Sequence, residues 1–166
     1  MHSDWPKWQE AMDKEMDILL KASTWDTVDQ SLGKNIVSNK WVFWIKHKSD
    51  GSIEKYKAHL MAQGFTQIYG VDYFNTYSPV AHFSSIWAIL ALAACHNWEI
   101  NTFNFIGAYL NGELGDNEEI YMQPAPGYKA SQPNQVLKLK KSLYGLKQAG
   151  CRWYETLCGA LGDVGF

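Results

Sequence analysis

The side chains in this sequence best suited to chemistry are lysines and carboxylates, and each set gathers in one stretch. Lys40, Lys46, Lys48, Lys55 and Lys57 outnumber Asp50 and Glu54 between positions 40 and 57. Lysine ammonium groups bind phosphate oxygens as point charges without reading sequence, so this stretch suits a phosphate backbone. A solvated charged face is the equal alternative. Glu113, Asp116, Glu118 and Glu119 crowd a second segment that would suit a cation. It has neither the alternating ligand ladder nor the central glycine of a calcium loop, which favours a solvated acidic loop. Cys95, Cys151 and Cys158 have no paired or metal-type spacing, and their odd number suits reduced intracellular thiols.

The elements that must position these groups follow from the apolar pattern. Trp5, Trp8, Met12, Met16, Leu19 and Leu20 recur at three- and four-residue spacing, with Pro6 in the first turn. That predicts an amphipathic helix over 5–20, packed as a lid on the next element. Positions 24–38 are polar and irregular, with Gly33 marking a connection. Next, Trp41, Phe43, Ile45 and His47 alternate with Val42, Trp44, Lys46 and Lys48. Asp50-Gly51 gives a primed-turn signal and Ile53–Met61 returns, so a basic β-hairpin is predicted. Ser84-Ser85 would cap a helix running to His96, apolar nearly all round and therefore buried against a sheet. Ile100–Phe105 alternates as a strand, which Gly107 and the Asn111-Gly112 loop bring to an end. Val136–Lys141 reads as a half-buried strand. Ser142–Gln148 opens a final helix carrying Trp153, Tyr154, Leu157 and Leu161.

Composition sets the class. The 166 residues are one domain's worth, and 46% hydrophobic with 19% charged residues argues for a packed chain and against disorder. A net charge of −2 gives no global bias toward nucleic acid, so any basic surface must be local. No signal peptide is expected, and the longest apolar run, 86–95, is far short of a membrane span.

Several strings, in collinear order, resemble a known family. Lys40-Trp41-Val42-Phe43 is followed by Asp50-Gly51 and then by Tyr56-Lys57-Ala58-His59-Leu60-Met61-Ala62-Gln63-Gly64-Phe65-Thr66-Gln67. Tyr77-Ser78-Pro79-Val80, the 100–112 segment and Leu143-Tyr144-Gly145-Leu146-Lys147-Gln148 complete the set. Together they are similar to the reverse transcriptase of copia-type LTR retrotransposons. The resemblance implies an α+β fold, the fingers (about 1–98) and part of the palm (about 99–166) of a right-hand polymerase, with a basic hairpin and a helix-backed sheet. It implies that Lys57 and position 59 face the incoming triphosphate, and that Lys46, Lys48 and Lys55 contact nucleic acid. Phe105 would offer a backbone carbonyl, Ala108 and Tyr109 a sugar-facing platform, and Gln148 a contact to the nascent base pair and template.

The departures from that family matter as much. Position 104, where the resemblance implies the first metal-binding Asp, is Asn104, and position 59 is His59 where the family has a forked, permanently charged Arg. Trp87, Cys151 and Met61 also stand where the family has Arg, Arg and Val, and all five changes are reachable by single transitions, the spectrum of a decaying silenced element. The family's second metal motif, Tyr-Val-Asp-Asp, occurs nowhere in the 166 residues. The expectation is therefore a remnant truncated before that motif and catalytically inactive, without a metal of its own although the intact family uses Mg²⁺. The alternative is a non-catalytic nucleic-acid-binding module that keeps the primer-template groove. The expected partner is template-primer RNA or DNA, weakly bound, and no membrane. Self-association is expected through an unpaired edge of the Ile100–Phe105 strand. Localisation follows the intact family, in the cytoplasm or a virus-like particle.

Overall fold

The computed structural model describes residues 4–128 and 134–165. Helix α1 (Trp5–Lys21) forms where the apolar spacing predicts it, with Pro6 in its first turn and Ala11, Met12, Glu15 and Leu19 buried. The chain leaves α1 through Ser23 at φ 52°, and Thr24 Oγ1 donates to the Leu19 carbonyl at 2.8 Å.

The 24–38 segment corrects the irregular reading. Strand β1 (Trp25–Asp29) pairs antiparallel with β6 (Gln135–Leu139), from Trp25 opposite Leu139 to Asp29 opposite Gln135. Strand β2 (Ile36–Val37) runs parallel to β5 (Tyr121–Met122), which pairs antiparallel with β6. The result is a four-stranded mixed sheet in the order β1-β6-β5-β2. Its apolar face, with Val37, Met122, Leu137 and Leu139, meets Leu19 of α1, Leu60, Leu110 and Leu143 in the main core.

The hairpin is present as β3 (Asn39–His47) and β4 (Ile53–Ala62), a separate two-stranded sheet. Its connection is not a two-residue primed turn. Only Gly51 takes a positive φ (82°), Gly51 N donates to Lys48 O, and a bulge at Lys46/His47 lengthens the loop. A primed type I turn needs positive φ at both central residues, and Asp50 instead spends its carboxylate on Ser52 N and Oγ.

Four further expectations are overturned. Helix α2 (Phe83–His96) starts at a His82 cap rather than at Ser84-Ser85, and stops at Asn97 in the left-handed region. It is not buried against the sheet: of its residues only Ala93 is buried, and Trp87 is 66% exposed. Residues 98–105 form no strand. A strand needs a neighbour to take its N–H and C=O groups, and no strand among the described residues lies beside this one. Finally, 142–148 is a turn, and helix α3 (Ala149–Asp163) begins only after Gln148. Gly145, at φ 89°, brings that turn so close to β4 that Tyr144 O accepts Ala62 N at 2.8 Å.

Candidate nucleic-acid interface

Residues opposite each other in an antiparallel pair share a face. Lys46 opposite Lys55, Trp44 opposite Lys57 and Val42 opposite His59 therefore form one face of the hairpin. Trp41 opposite Leu60, Phe43 opposite Ala58 and Ile45 opposite Tyr56 form the other. The second face is covered by α1: Trp8 lies edge-on to Phe43 (5.2 Å) and Tyr56 (4.6 Å), and Ala11 and Met12 cluster with Ala58. The lid expected over the hairpin is thus α1, and it leaves the cationic face outward. There the Lys57 ammonium stands 5.5 Å from the Trp44 ring, and Lys46 pairs with Glu54 at 2.9 Å. Lys48 is in the loop, exposed.

His59 joins this face to the rest of the molecule. Its ring lies 4.5 Å from Trp44 and is stacked at 5.0 Å on Tyr144, which meets Tyr109 edge-on at 5.1 Å. A row of four rings, Trp44–His59–Tyr144–Tyr109, therefore runs from β3 to the short 3₁₀ turn Ala108–Asn111. Burial and the charge of Glu15 hold the Tyr144 phenol above its usual pKa. Beside the row is a groove of about 430 Å³ between α1 and β4, with Lys14 and Lys21 on one wall, Lys55, Lys57 and His59 on the other, and Ile106 at its margin.

The structure brings together Lys57, His59 and Tyr109, with Ala108 beside the last. Asn104 is exposed on the irregular 98–105 segment, and no hydrogen bond from the described residues fixes it. Phe105 packs its ring edge-on against Trp153 of α3 at 5.0 Å. Gln148 lies elsewhere. It is 0% exposed, its Nε2 donates to Asp72 O at 2.8 Å, and its Oε1 accepts from Gln67 Nε2 at 3.0 Å. This amide braces the 142–148 turn against the 64–72 loop, so it is neither an exposed cap nor a group facing solvent. The side chain that the turn offers to the row is Tyr144, which the sequence reading passed over. A signal existed: Tyr144 precedes Gly145, and a glycine in the middle of a supposed helix start marks a turn.

The acidic loop is solvated at three of its four carboxylates and built in at the fourth. Glu118 is buried, with Oε2 accepting from Arg152 Nε (2.8 Å) and Gly115 N (3.1 Å). Lys138 and Lys34 flank Glu119 and hold its carboxyl at about 2. Glu113, Asp116 and Glu119 are exposed. Among the described residues no group of three His, Cys, Asp or Glu side chains is placed to hold a metal ion. The neutral amide oxygen at position 104 is a weaker ligand for a hard divalent cation than a carboxylate would be.

The family model described as "Reverse transcriptase (RNA-dependent DNA polymerase)" matches residues 22–166. The chain is 40% identical over 162 residues to the retrovirus-related Pol polyprotein from transposon RE1 of Arabidopsis thaliana, covering 96% of the chain and 11% of that relative. It is 40% identical over 154 residues to the Pol polyprotein from transposon TNT 1-94 of Nicotiana tabacum, covering 92% of the chain and 11% of the relative. It is also 36% identical over 157 residues to the truncated transposon Ty1-A Gag-Pol polyprotein of Saccharomyces cerevisiae, 91% of the chain and 12% of the relative. The chain thus spans about a tenth of the length of these relatives. No solved structure is a significant match.

Proposed function

The chain belongs to the reverse transcriptase (RNA-dependent DNA polymerase) family of copia-type retrotransposon Pol polyproteins, and from that premise we propose that it binds nucleotide and template-primer without polymerising. The observation that carries this reading is a cationic hairpin face together with an amide at the position of the expected metal ligand. Lys55, Lys57 and His59 line one groove, with Lys46 on the same hairpin face and His59 inside the four-ring row, while position 104 holds Asn. Two-metal phosphoryl transfer needs carboxylates to hold the ions that clamp the attacking and leaving oxygens. Asn104 supplies one weak oxygen and no charge, so it would hold Mg²⁺ poorly.

In this reading Lys57 takes the triphosphate, and Lys46, Lys48 and Lys55 take backbone phosphates. Tyr109 and Ala108 form the sugar platform, and the Phe105 carbonyl lies alongside. Tyr144 takes the nucleotide-facing place expected for Gln148, whose amide is spent in the interior. The fingers would extend to about residue 98, a boundary that the Asn97 helix stop supports. The compartment would be that of the parent element, the cytoplasm or a virus-like particle.

Primer extension with Mg²⁺ or Mn²⁺ should stay at background, and template-dependent incorporation absent from a denatured control would sink the inactive reading. Binding to a primer-template duplex should have a dissociation constant of roughly 10⁻⁴–10⁻⁶ M and weaken steeply with salt. Charge reversal at Lys46, Lys48 and Lys57 should abolish it. A second reading, a module kept only for nucleic acid, rests on the same lysine face. It is favoured if the duplex binds and deoxynucleoside triphosphates do not.

A further inference from the structure

His59 is held from α1 as well as from its stacking partners. Its Nδ1 lies 2.9 Å from Glu15 Oε1, and the Glu15 side chain is 8% exposed against 27% for His59. A carboxylate only accepts hydrogen bonds, so the proton of this contact sits on Nδ1. In a neutral ring that leaves Nε2 as an acceptor, which takes no hydrogen bond from the described residues. We propose that Glu15 is a positioning residue of the nucleotide pocket, fixing the tautomer and plane of His59 and, through the stacked Tyr144, the ring of Tyr109. The inference rests on the nucleotide-binding reading above for its functional consequence, though not for the tautomer itself.

The chemistry that follows is specific. A neutral ring locked in this way presents a lone pair and repels phosphate oxygens, so the triphosphate falls to Lys57. Position 59 then accepts a hydrogen bond from a hydroxyl or amino group on the nucleoside part of the ligand. Glu15 thereby converts a place that would hold phosphate with Arg into one that reads the nucleoside.

The tautomer is read directly by long-range ¹H–¹⁵N correlation of the His59 ring at alkaline pH. Wild type and Glu15→Gln, whose amide oxygen still accepts, should show protonated Nδ1. Glu15→Leu should shift the ring to the Nε2–H form. Calorimetric titration with a deoxynucleoside triphosphate and with inorganic tripolyphosphate separates positioning from charge. Glu15→Leu should lose about five-fold or more for the nucleotide and less than about two-fold for tripolyphosphate, with Glu15→Gln near wild type. Protonated Nε2 in the wild type overturns the proposal, as does an equal loss for both ligands in Glu15→Leu. If Glu15→Leu does not fold, the wild-type tautomer still decides. Failure of both ligands to bind wild type defeats the pocket reading, while the ring spectrum separately decides whether Glu15 positions His59.

Discussion

A methyl group at position 145 would meet the Ala62 carbonyl oxygen at 2.0 Å, on a backbone whose φ is +89°. Neither atom is the end of a flexible side chain, so the turn itself must move. Gly145→Ala should therefore cost about 3 kcal/mol or more by chemical denaturation. Because Tyr144 rides on that turn, the variant should also lose nucleotide binding. Acid sensitivity is a second residue-scale consequence. Lys138 and Lys34 depress the Glu119 carboxyl to about 2. A depressed carboxyl adds stability above its unfolded pKa, near 4.3, and that contribution is lost as pH falls through about 2. Glu119→Gln should thus flatten the decline in melting temperature between those limits. An unchanged decline would assign the acid sensitivity to other groups.

At the scale of elements, the sequence was readable where a pattern was both periodic and one-sided. Helix α1 and the β3–β4 hairpin have an apolar face that meets a neighbour and a charged face that does not, so periodicity located both. Strands β1 and β2 were not readable, because a short strand takes its definition from the partner it pairs with. For β1 that partner, β6, lies over a hundred residues away. The Ile100–Phe105 alternation failed for the converse reason, having a strand's pattern and no partner. In the candidate site, Lys57, His59 and Tyr109 were legible as residues, but the row linking them was not. It needs Tyr144, from a turn that a helical pattern disguised, and Glu15, from a helix read only as a lid. The same distinction separates two leucines. Leu60 on β4 is fully buried, so Leu60→Ala should cost about 2–5 kcal/mol. Leu92 on α2 is half exposed, and Leu92→Ala should cost under about 1 kcal/mol by the same denaturant titration.

For the whole molecule, the uncovered apolar surface outweighs the small net charge. Trp87, Ile89 and Leu92 of α2 are followed by Trp98, Phe103 and Ile106, all more than half exposed. Patches of this kind on an isolated chain promote association. The self-association expected from a strand edge at 98–105 has no such edge to act through, since that segment is not a strand; association would instead run through apolar contact. Size-exclusion chromatography with light scattering should show mass rising with concentration, and Trp87→Lys with Phe103→Lys should reduce it. A monomer at every concentration would overturn this.

The facing ammonium groups of Lys46 and Lys55 have a consequence for how the hairpin should respond to its surroundings. Like charges placed directly across a sheet repel, and Glu54 engages only Lys46. The hairpin loop is thus held closed against its own charge, and mobile anions relieve that load. Added salt should stiffen this end of the chain and slow amide exchange around Lys48–Ser52, even as it weakens attachment to nucleic acid. A bound polyanion would relieve the same repulsion, so the hairpin would be firmer when occupied than when empty at low salt.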